Sequence, residues 1–403
     1  MIAAYASEPL SEPRIESLNN EDATTAMSRH PYEVGGTESI LTPALLIYRD
    51  FVLSNIDTTI RLLNGNPDRW RPHVKTAKLG YVMEMLTARG VTAFKCATSL
   101  ELLTAIRAGA KDMLVAYPVM GANALRIREI AAENPQVAIS VLVESARQLE
   151  NWVGTTIGIF IDINPGMDRT GIEQGRAADI VGLAKLISKS GLEFRGLHYY
   201  DGQLGAVPLP QRERQAHAGY DRLMQVIATL QAENIPVKEV ITAGTPAFPF
   251  TLSYPEFRKP AFIHRASPGT VVYCDATAAE QLPEEFGYIP AALVLSRVVS
   301  RPASGVITSD AGHKTLSVDC GVPNCLVAGM SYLEPLRPSE EHLPFRVPQK
   351  ERSPELGDLL YLIPRHVCPT VNNFDWALIV SQGNIVAVEQ VSARGREKPL
   401  LQH

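Results

Sequence analysis

The segment Arg71–Lys75 places a lysine directly after a short apolar run that begins at Trp70. Such a run predicts a buried strand. A lysine at the end of a strand can be held out of bulk water, so that its amine is free to attack a carbonyl carbon. The alternative is a solvated surface lysine. The segment therefore predicts a site for a carbonyl compound, with Lys75 as the nucleophile.

Two glycine–threonine pairs, Gly244-Thr245 and Gly269-Thr270, follow apolar runs farther along the chain. Glycine lets backbone N–H groups approach an anion closely, and threonine adds a hydroxyl donor. Each pair taken alone is also typical of an ordinary turn. Together, at the end of one sheet, they predict a phosphate-binding site.

Arg169 lies in a glycine-containing loop that ends at Gly171, after another apolar run. An arginine does not lose its proton, so beside the nitrogen of a pyridine ring it would keep that nitrogen unprotonated. The alternative is an ion pair of Arg169 with Asp162 or Asp168. Tyr200 ends a further apolar run, where it either packs in the core or lines a ligand.

The segment His366-Val367-Cys368 follows the apolar run Leu359–Pro364. In an extended segment, residues two apart point the same way, so the imidazole and the thiolate can bind one ion. Two protein ligands leave positions for water and a substrate oxygen, as a catalytic metal site requires. The thiolate favours zinc over magnesium or calcium. The His-x-Cys pattern alone is common in unrelated chains.

Taken together, these segments resemble the D-threonine aldolase and D-serine dehydratase family, pyridoxal-phosphate enzymes of fold type III that share the alanine racemase barrel. The resemblance covers roughly residues 42 to 375, with the matching segments in the family's order. These segments are Arg71–Thr76, Phe94–Thr98, Ala116–Val119, Asp162–Gly171, Ala243–Thr245, Ser267–Thr270 and Pro364–Thr370. The resemblance implies that Lys75 holds the cofactor covalently and that a divalent metal, zinc or manganese, binds to His366 and Cys368. The other implied cofactor contacts are His73, Arg169, Tyr200, Gly244, Thr245, Gly269 and Thr270.

The implied activity is that of a lyase acting on a D-β-hydroxy amino acid, in a homodimer. The metal would either lower the pKa of the β-hydroxyl for retro-aldol cleavage to glycine and an aldehyde, or help it leave in β-elimination to a keto acid and ammonia. The overall sequence favours the aldolase, whereas a His-x-Cys pair occurs in the dehydratases. Ala77 stands where the family commonly has a histidine, so another group or water must transfer that proton. A noncatalytic pyridoxal-phosphate binding protein and a racemase are the further alternatives.

Composition excludes several other function classes. The formal net charge of -5 offers no electrostatic attraction for nucleic acid or an anionic membrane. No run approaches the ~18 apolar residues of a membrane span. The 5 cysteines are too scattered for a disulfide framework in a chain of 403 residues, which makes the cytoplasm the expected compartment. A small amino acid is therefore the expected binding partner.

The elements that position these residues follow from the spacing of apolar residues. Short apolar runs alternate with segments of helical period up to Gly244, which predicts a parallel sheet covered by helices. About eight such units favour a closed (β/α)8 barrel, with its active residues at the carboxyl ends of the strands. The predicted strands are Ala44–Tyr48, Arg71–Val74, Ala93–Cys96, Asp112–Ala116, Val137–Val143, Ile157–Ile163, Phe194–Leu197 and Val240–Ala243.

After Tyr288 the helical period disappears, and short β-branched runs predict a mostly antiparallel β domain. One of these predicted strands is Thr315–Asp319. The predicted organisation is a barrel that binds pyridoxal phosphate (42–287) followed by a β domain with the metal site (288–403). Residues 1–41 form a polar N-terminal extension, either mobile or packed on the β domain.

Overall fold

The chain folds into two β-sheets with helices around the first of them, and the computed structural model describes residues 30–401. The strands are β1 Ala44–Tyr48, β2 Ala93–Cys96, β3 Asp112–Val115, β4 Ala138–Val143, β5 Gly158–Asn164, β6 Ile172–Glu173, β7 Phe194–Tyr199, β8 Glu239–Thr242, β9 Ile263–Ala266, β10 Ala292–Ala303, β11 Val306–Ser309, β12 Cys325–Val327, β13 Glu334–Pro335, β14 Leu343–Arg346, β15 Leu359–Pro364, β16 Trp376–Ser381 and β17 Asn384–Gln390. The α-helices are α1 Arg49–Leu62, α2 Gly80–Thr87, α3 Ser99–Arg107, α4 Ala122–Glu133, α5 Ala146–Leu149, α6 Ala177–Lys189, α7 Leu209–Ala232, α8 Phe248–Ser253, α9 Ala276–Gln281 and α10 Val367–Val371. Within residues 30–401, no helix is both long and apolar enough to cross a membrane.

The first sheet is parallel and runs in the order β2-β3-β4-β5-β7-β8-β9, with the short β6 beside β5. Its two edge strands are joined through the segment from Trp70 to His73, which bridges Ala266 of β9 and Lys95 of β2. Pro72 has no N–H group to donate, so this segment makes isolated bridges rather than a regular strand. Helices α2 to α9 follow the strands in turn. The predicted β/α barrel followed by a mostly antiparallel domain is confirmed.

The prediction that Ala44–Tyr48 is a barrel strand is wrong. This strand, β1, lies in the second sheet, where it pairs antiparallel with β10 and parallel with β16. Leu45 and Ile47 face the barrel core, whereas Leu46 and Tyr48 face a separate apolar cluster. A strand buried on both faces has the same local pattern in either sheet, so its partners were not predictable from the pattern. The barrel instead contains β9, which corresponds to the apolar run before Gly269 that was not counted among the eight units.

The second sheet runs in the order β13-β14-β11-β10-β1-β16-β17, with β15 beside β10 and β12. Residues 30–40 lie against it: the Tyr48 hydroxyl donates to the carbonyl oxygen of Tyr32 at 2.6 Å, and Val34 N donates to the Tyr361 hydroxyl at 3.1 Å. The predicted extension at residues 1–29 lies outside the described residues. The predicted strand at 315–319 is wrong, because this segment forms turns.

A buried ion cluster fills the amino-terminal end of the barrel, opposite Lys75. The Arg71 guanidinium is 0% exposed and contacts Asp112 at 2.6 Å and Glu239 at 2.9 Å. Two further arginines share these carboxylates: Arg195 lies 2.9 Å from Asp112, and Arg265 lies 2.5 Å from Glu239. Burial raises the pKa of Asp112, but the guanidinium groups of Arg71 and Arg195 outweigh it and hold that pKa at about 2. Asp112 is therefore ionised at neutral pH.

We expect Glu239→Gln to destabilise the fold by about 3–5 kcal/mol, because removing one partner leaves buried guanidinium groups without their countercharge. The midpoint of urea denaturation measures this loss. Glu193→Gln is the matched control, since Glu193 pairs with Lys238 at 2.7 Å with both side chains about half exposed. That change should cost less than about 1 kcal/mol. Equal losses in the two variants would contradict a stabilising role for the cluster.

Candidate active site

One cavity at the carboxyl ends of the barrel strands contains every residue of the predicted site. Its volume is about 390 Å³, and α10 and its preceding loop from the second domain form one wall. The predicted residues that line it are His73, Lys75, Arg169, Tyr200, Gly244, Thr245, Gly269, Thr270, His366 and Cys368. Residues from distant parts of the sequence therefore converge at the end of the barrel where β/α barrels carry their chemistry.

Lys75 lies in a turn just after the bridging segment, with its side chain exposed in the cavity. Its backbone N–H donates to His73 Nδ1 at 3.2 Å, and the Tyr273 hydroxyl donates to the carbonyl oxygen of Ala77 at 2.9 Å. The nearby Lys78 is committed elsewhere, because its amine contacts Glu101 at 2.9 Å and the Ala393 carbonyl at 3.2 Å. Lys75 is thus the amine of this turn that faces the cavity. The expectation that it is held out of water does not hold in this exposed position.

His73 is a neutral imidazole in this arrangement. Burial, reinforced by the neighbouring Lys75 and Lys95 charges, lowers its pKa well below its ordinary value. Because Nδ1 accepts the Lys75 N–H, the ring hydrogen belongs on Nε2. The ring therefore presents an N–H donor without adding positive charge beside the Lys75 amine.

Arg169 and Tyr200 line the cavity next to each other. The Arg169 guanidinium lies 4.9 Å from the centre of the Tyr200 ring, within cation–π distance. The alternative ion pairs do not form here, because Asp162 accepts from Thr170 and Asp168 accepts from Asn164. Arg169 is therefore directed at the cavity, as a contact with a bound ring requires.

The two glycine–threonine pairs approach the cavity from β8 and β9. A Cβ added at Gly244 would lie 2.8 Å from the Tyr200 ring, and one added at Gly269 would lie 2.8 Å from the His73 carbonyl oxygen. A side chain at either position would therefore collide with a neighbour at the cavity that both loops line. The Gly244 N–H itself donates to Asp201 at 3.1 Å, so the remaining donors near β8 come from Thr245.

His366 and Cys368 meet, although the predicted extended geometry is wrong. His366 is extended, with φ of -133°, but Cys368 lies in the first turn of α10. Burial raises the pKa of Cys368, yet the adjacent His366 more than offsets this and the net pKa is lowered. Burial lowers the pKa of His366, but Cys368 and Asp319 raise it to about 9 overall. Thr76 contacts the thiol at 3.1 Å, which links the metal-binding segment to the Lys75 turn.

Sequence reasoning missed the second half of this cluster, Asp319 and Cys320. An Asp319 oxygen lies 2.5 Å from His366 Nδ1, and donor atoms of Asp319, Cys320 and His366 lie within 4.8 Å of one another. Asp275 orients the segment by accepting the backbone N–H of Val367 at 2.9 Å. Nothing in the sequence near His366 indicates these partners, because they lie far away along the chain. The donor set of imidazole, thiols and carboxylate fits zinc.

Sequence reasoning also missed a buried chain of side chains from β2, β7 and β5. The Lys95 amine lies 3.1 Å from His198 Nε2, and His198 Nδ1 lies 2.7 Å from Asp162. Lys95 is 2% exposed, yet it lines the cavity beside Lys75. A lysine in a strand whose other residues are apolar is rare. This was the feature of the sequence that could have identified Lys95 as a site residue.

Ala77 offers no proton-transfer group. It is 2% exposed and packs in the barrel's hydrophobic core. Its side chain has no polar atom, so a proton moved at this site must pass through another residue or water.

The family description "Alanine racemase, N-terminal domain" matches residues 47–276, which is more than half of the 403 residues. The chain belongs to this family. A second description, "Putative serine dehydratase domain", matches residues 291–380. The alanine racemase N-terminal family therefore accounts for most of the barrel, and the second match lies in the β domain.

Two curated proteins that are similar to this chain over most of its length are lyases by name. A D-threonine aldolase from Arthrobacter sp is 25% identical over 367 residues, covering 88% of this chain and 93% of that protein. A 3-hydroxy-D-aspartate aldolase from Paracoccus denitrificans (strain Pd 1222) is 26% identical over 373 residues, covering 89% and 93%. The resemblance inferred from the sequence segments is confirmed by these matches.

Solved structures of the alanine racemase-like fold superpose over nearly the whole chain. The D-threonine aldolase from Filomicrobium marinum has a TM-score of 0.81 and 27% identity, and the match covers 88% of this chain and 96% of that one. The D-threo-3-hydroxyaspartate dehydratase from Delftia sp. HT23 has a TM-score of 0.76 and 19% identity, covering 89% and 99%. The second likeness shows the fold alone.

Proposed function

We propose that this protein is a pyridoxal-phosphate- and divalent-metal-dependent lyase that cleaves a D-β-hydroxy amino acid to glycine and an aldehyde. One observation carries the proposal: the Lys75 amine and the His366–Cys368 pair face the same cavity. One small molecule in this cavity can contact both the amine and a metal ion. The two groups can then act on neighbouring atoms of that molecule. The names of the aldolase relatives supply the substrate class and its D configuration.

The residues present fit both groups. Lys75 supplies the amine for the cofactor aldehyde, Arg169 and Tyr200 supply a flat face and a fixed positive charge for its ring, and the loops at Gly244 and Gly269 leave room for its phosphate. When bound, pyridoxal phosphate supplies an electron sink and a divalent ion lowers the pKa of a hydroxyl.

The chain's own groups position the substrate around this chemistry. His366 and Cys368 would hold zinc, with Asp319 fixing the ring of His366 through Nδ1. Thr76, next to Lys75 in the turn, contacts the Cys368 thiol at 3.1 Å, so a substrate held by the amine would lie near an ion held by His366 and Cys368. The fixed charge of Arg169 disfavours a proton on the pyridine nitrogen.

The second candidate function is a dehydratase that eliminates the β-hydroxyl and yields a keto acid and ammonia. The His-x-Cys pair favours it, because the resemblance associates this pair with dehydratases. Both reactions use the same cavity and differ in the bond that breaks. A racemase or a noncatalytic cofactor-binding protein would need neither the metal pair nor its orienting carboxylate.

Product analysis distinguishes these functions. Metal-loaded protein with pyridoxal phosphate is incubated with D-threonine, D-serine or D-3-hydroxyaspartate, with L-threonine as the control. Glycine and acetaldehyde from D-threonine support the aldolase, whereas 2-oxobutanoate and ammonia support the dehydratase. Formation of the enantiomer alone indicates a racemase. No product from any substrate, with cofactor bound, would refute the lyase proposal.

We also propose that the protein works in the cytoplasm as a homodimer. All 5 cysteines, each within the described residues, are free thiols, which suits a reducing compartment. The family resemblance supports the dimer. Sedimentation equilibrium of the cofactor-loaded protein tests it.

A further inference from the structure

Lys95 and Lys75 line the same two adjoining cavities. Both lysines line the cavity described above and an adjoining one of about 620 Å³, which His73, Arg169 and Tyr200 also line. Lys95 comes from the middle of β2, where every residue is buried, and its side chain points into the barrel toward His198 of β7. Nothing in the proposed function uses this second amine.

The hydrogen bonds around Lys95 leave it able to accept a proton. Asp162 accepts the hydroxyl hydrogen of Thr170 at 2.8 Å and faces His198 Nδ1 at 2.7 Å. A carboxylate accepts hydrogen bonds, so the ring hydrogen of His198 lies on Nδ1 and its Nε2 is an acceptor. Lys95 therefore donates one N–H to Nε2 at 3.1 Å. When uncharged, its amine keeps a lone pair for a proton donor in the cavity.

The surroundings disfavour a permanent charge on Lys95. Burial and then the Lys75 charge lower the pKa of Lys95 to about 7, against the opposing effect of Asp162. Burial lowers the pKa of His198 as well, so His198 is neutral near pH 7. The other charged or titratable groups around these two residues are Arg71, Asp201, His73, Arg169 and Tyr200, whose ring centre lies 5.8 Å from the Lys95 amine.

We propose that Lys95, held by His198 and Asp162, is the proton acceptor that converts the Lys75 ammonium into a free amine. One proton passes from Lys75 Nζ to Lys95 Nζ across the cavity that both amines line. The freed electron pair of Lys75 forms a bond to an aldehyde carbon, whose carbonyl electrons move to oxygen. That oxygen takes two protons, one returned by Lys95 and one from the Lys75 nitrogen, and leaves as water as the carbon–nitrogen double bond forms with one proton left on nitrogen. The inference rests on the proposed function only in taking the aldehyde to be that of pyridoxal phosphate.

Rapid mixing of the cofactor-free protein with pyridoxal phosphate, followed by visible absorbance across pH 6–10, tests the inference. The wild-type rate of linkage formation should rise through a break near pH 7, in line with the pKa of Lys95 of about 7. Lys95→Met and Lys95→Arg should both be slower near neutral pH by about 10²–10⁴-fold, the usual effect of one positioned proton-transfer group. Their rates should approach the wild-type rate only in alkali, where an ordinary lysine ionises at ~10.4.

The arginine variant separates proton transfer from charge. Arginine keeps a positive charge beside Lys75 but does not accept a proton in this pH range. If Lys95→Arg matches the wild-type rate and pH profile, the charge alone matters and the inference is refuted. A wild-type profile without a break below pH 9 refutes it too, whether or not the variants fold.

Two further measurements complete the design. Imidazole should raise the neutral-pH rate of Lys95→Ala, because it ionises at about 6.5 and forms no imine with an aldehyde, and failure of this rescue would count against proton transfer. The exposed Lys185, in α6, provides the control variant Lys185→Met, which should behave as wild type. Absence of any linkage in the wild type would refute the proposed function, whereas equal linkage rates in all variants would refute this inference alone.

Discussion

Replacing Lys75 with alanine is expected to abolish covalent attachment of pyridoxal phosphate together with turnover. Amines held beside a reacting carbonyl reach effective concentrations of about 10⁵ M or more, and no free amine replaces that. Of the two other lysines nearby, Lys78 pairs with Glu101 at 2.9 Å, and Lys95 is 2% exposed and donates to His198 at 3.1 Å. Borohydride reduction followed by peptide mass spectrometry measures the attachment, and the product assay measures turnover.

Lys78→Ala is the matched control for this prediction, because it removes a lysine three positions away in the same turn. The variant loses a buried ion pair and should therefore be less stable, but its cofactor should still be linked to Lys75. A reducible linkage that survives in Lys75→Ala would assign the cofactor to a different lysine. A linkage lost in Lys78→Ala at a temperature where the protein stays folded would implicate Lys78 instead.

The positions of site residues that follow barrel strands could be predicted from the sequence. The place of a residue along a strand decides at which end of the barrel it lies. Lys75, Gly244 and Gly269 each follow an apolar run, and in a parallel barrel the carboxyl ends of all strands lie together. Chemistry-bearing residues after such runs therefore converge without any knowledge of the long-range contacts. This is why the whole predicted set lines one cavity.

Site residues that do not follow an apolar strand could not be identified from local sequence patterns. Asp319 and Cys320 reach His366 through turns between strands, and no periodicity specifies how such a loop folds. The partners of β1 depend on two sheets meeting across it, which a pattern of buried residues does not encode. In the barrel, β9 takes the place that the prediction gave to β1, and the predicted strand Arg71–Val74 makes isolated bridges, so the number of about eight units was right for partly wrong reasons.

The interior of the barrel shows a different limit. Lys95, His198 and Asp162 lie within apolar runs, where sequence reasoning expects packing. A buried lysine is costly unless it is paired or uncharged. Its presence in a strand therefore indicates function, but only the structure identifies the histidine that accepts its hydrogen bond.

Removal of the metal is expected to stop turnover while leaving the cofactor attached to Lys75. Covalent attachment uses the Lys75 amine and no atom of the metal pair, although the Thr270 hydroxyl lies 4.0 Å from the Cys368 thiol. A bound ion stabilises a developing oxyanion by several kcal/mol, which corresponds to about 10²–10⁴ in rate. Dialysis against a chelator, metal analysis, visible absorbance and the product assay measure these effects, and zinc should restore turnover.

Substitutions distinguish the proposed metal ligands, His366 and Cys368, from Asp319, which orients His366. His366→Ala and Cys368→Ser should each lose both the metal and turnover. Asp319→Asn should retain the metal with an affinity lower by about 10–100-fold, because Asp319 fixes His366 through Nδ1 at 2.5 Å and does not need to bind the ion itself. Cys320→Ser shows whether this exposed thiol, which lies within 4.8 Å of the donor atoms of Asp319 and His366, is a third ligand. If His366→Ala binds zinc and turns over as the wild type does, the ion lies elsewhere, and the cavity shared by amine and metal no longer supports a lyase.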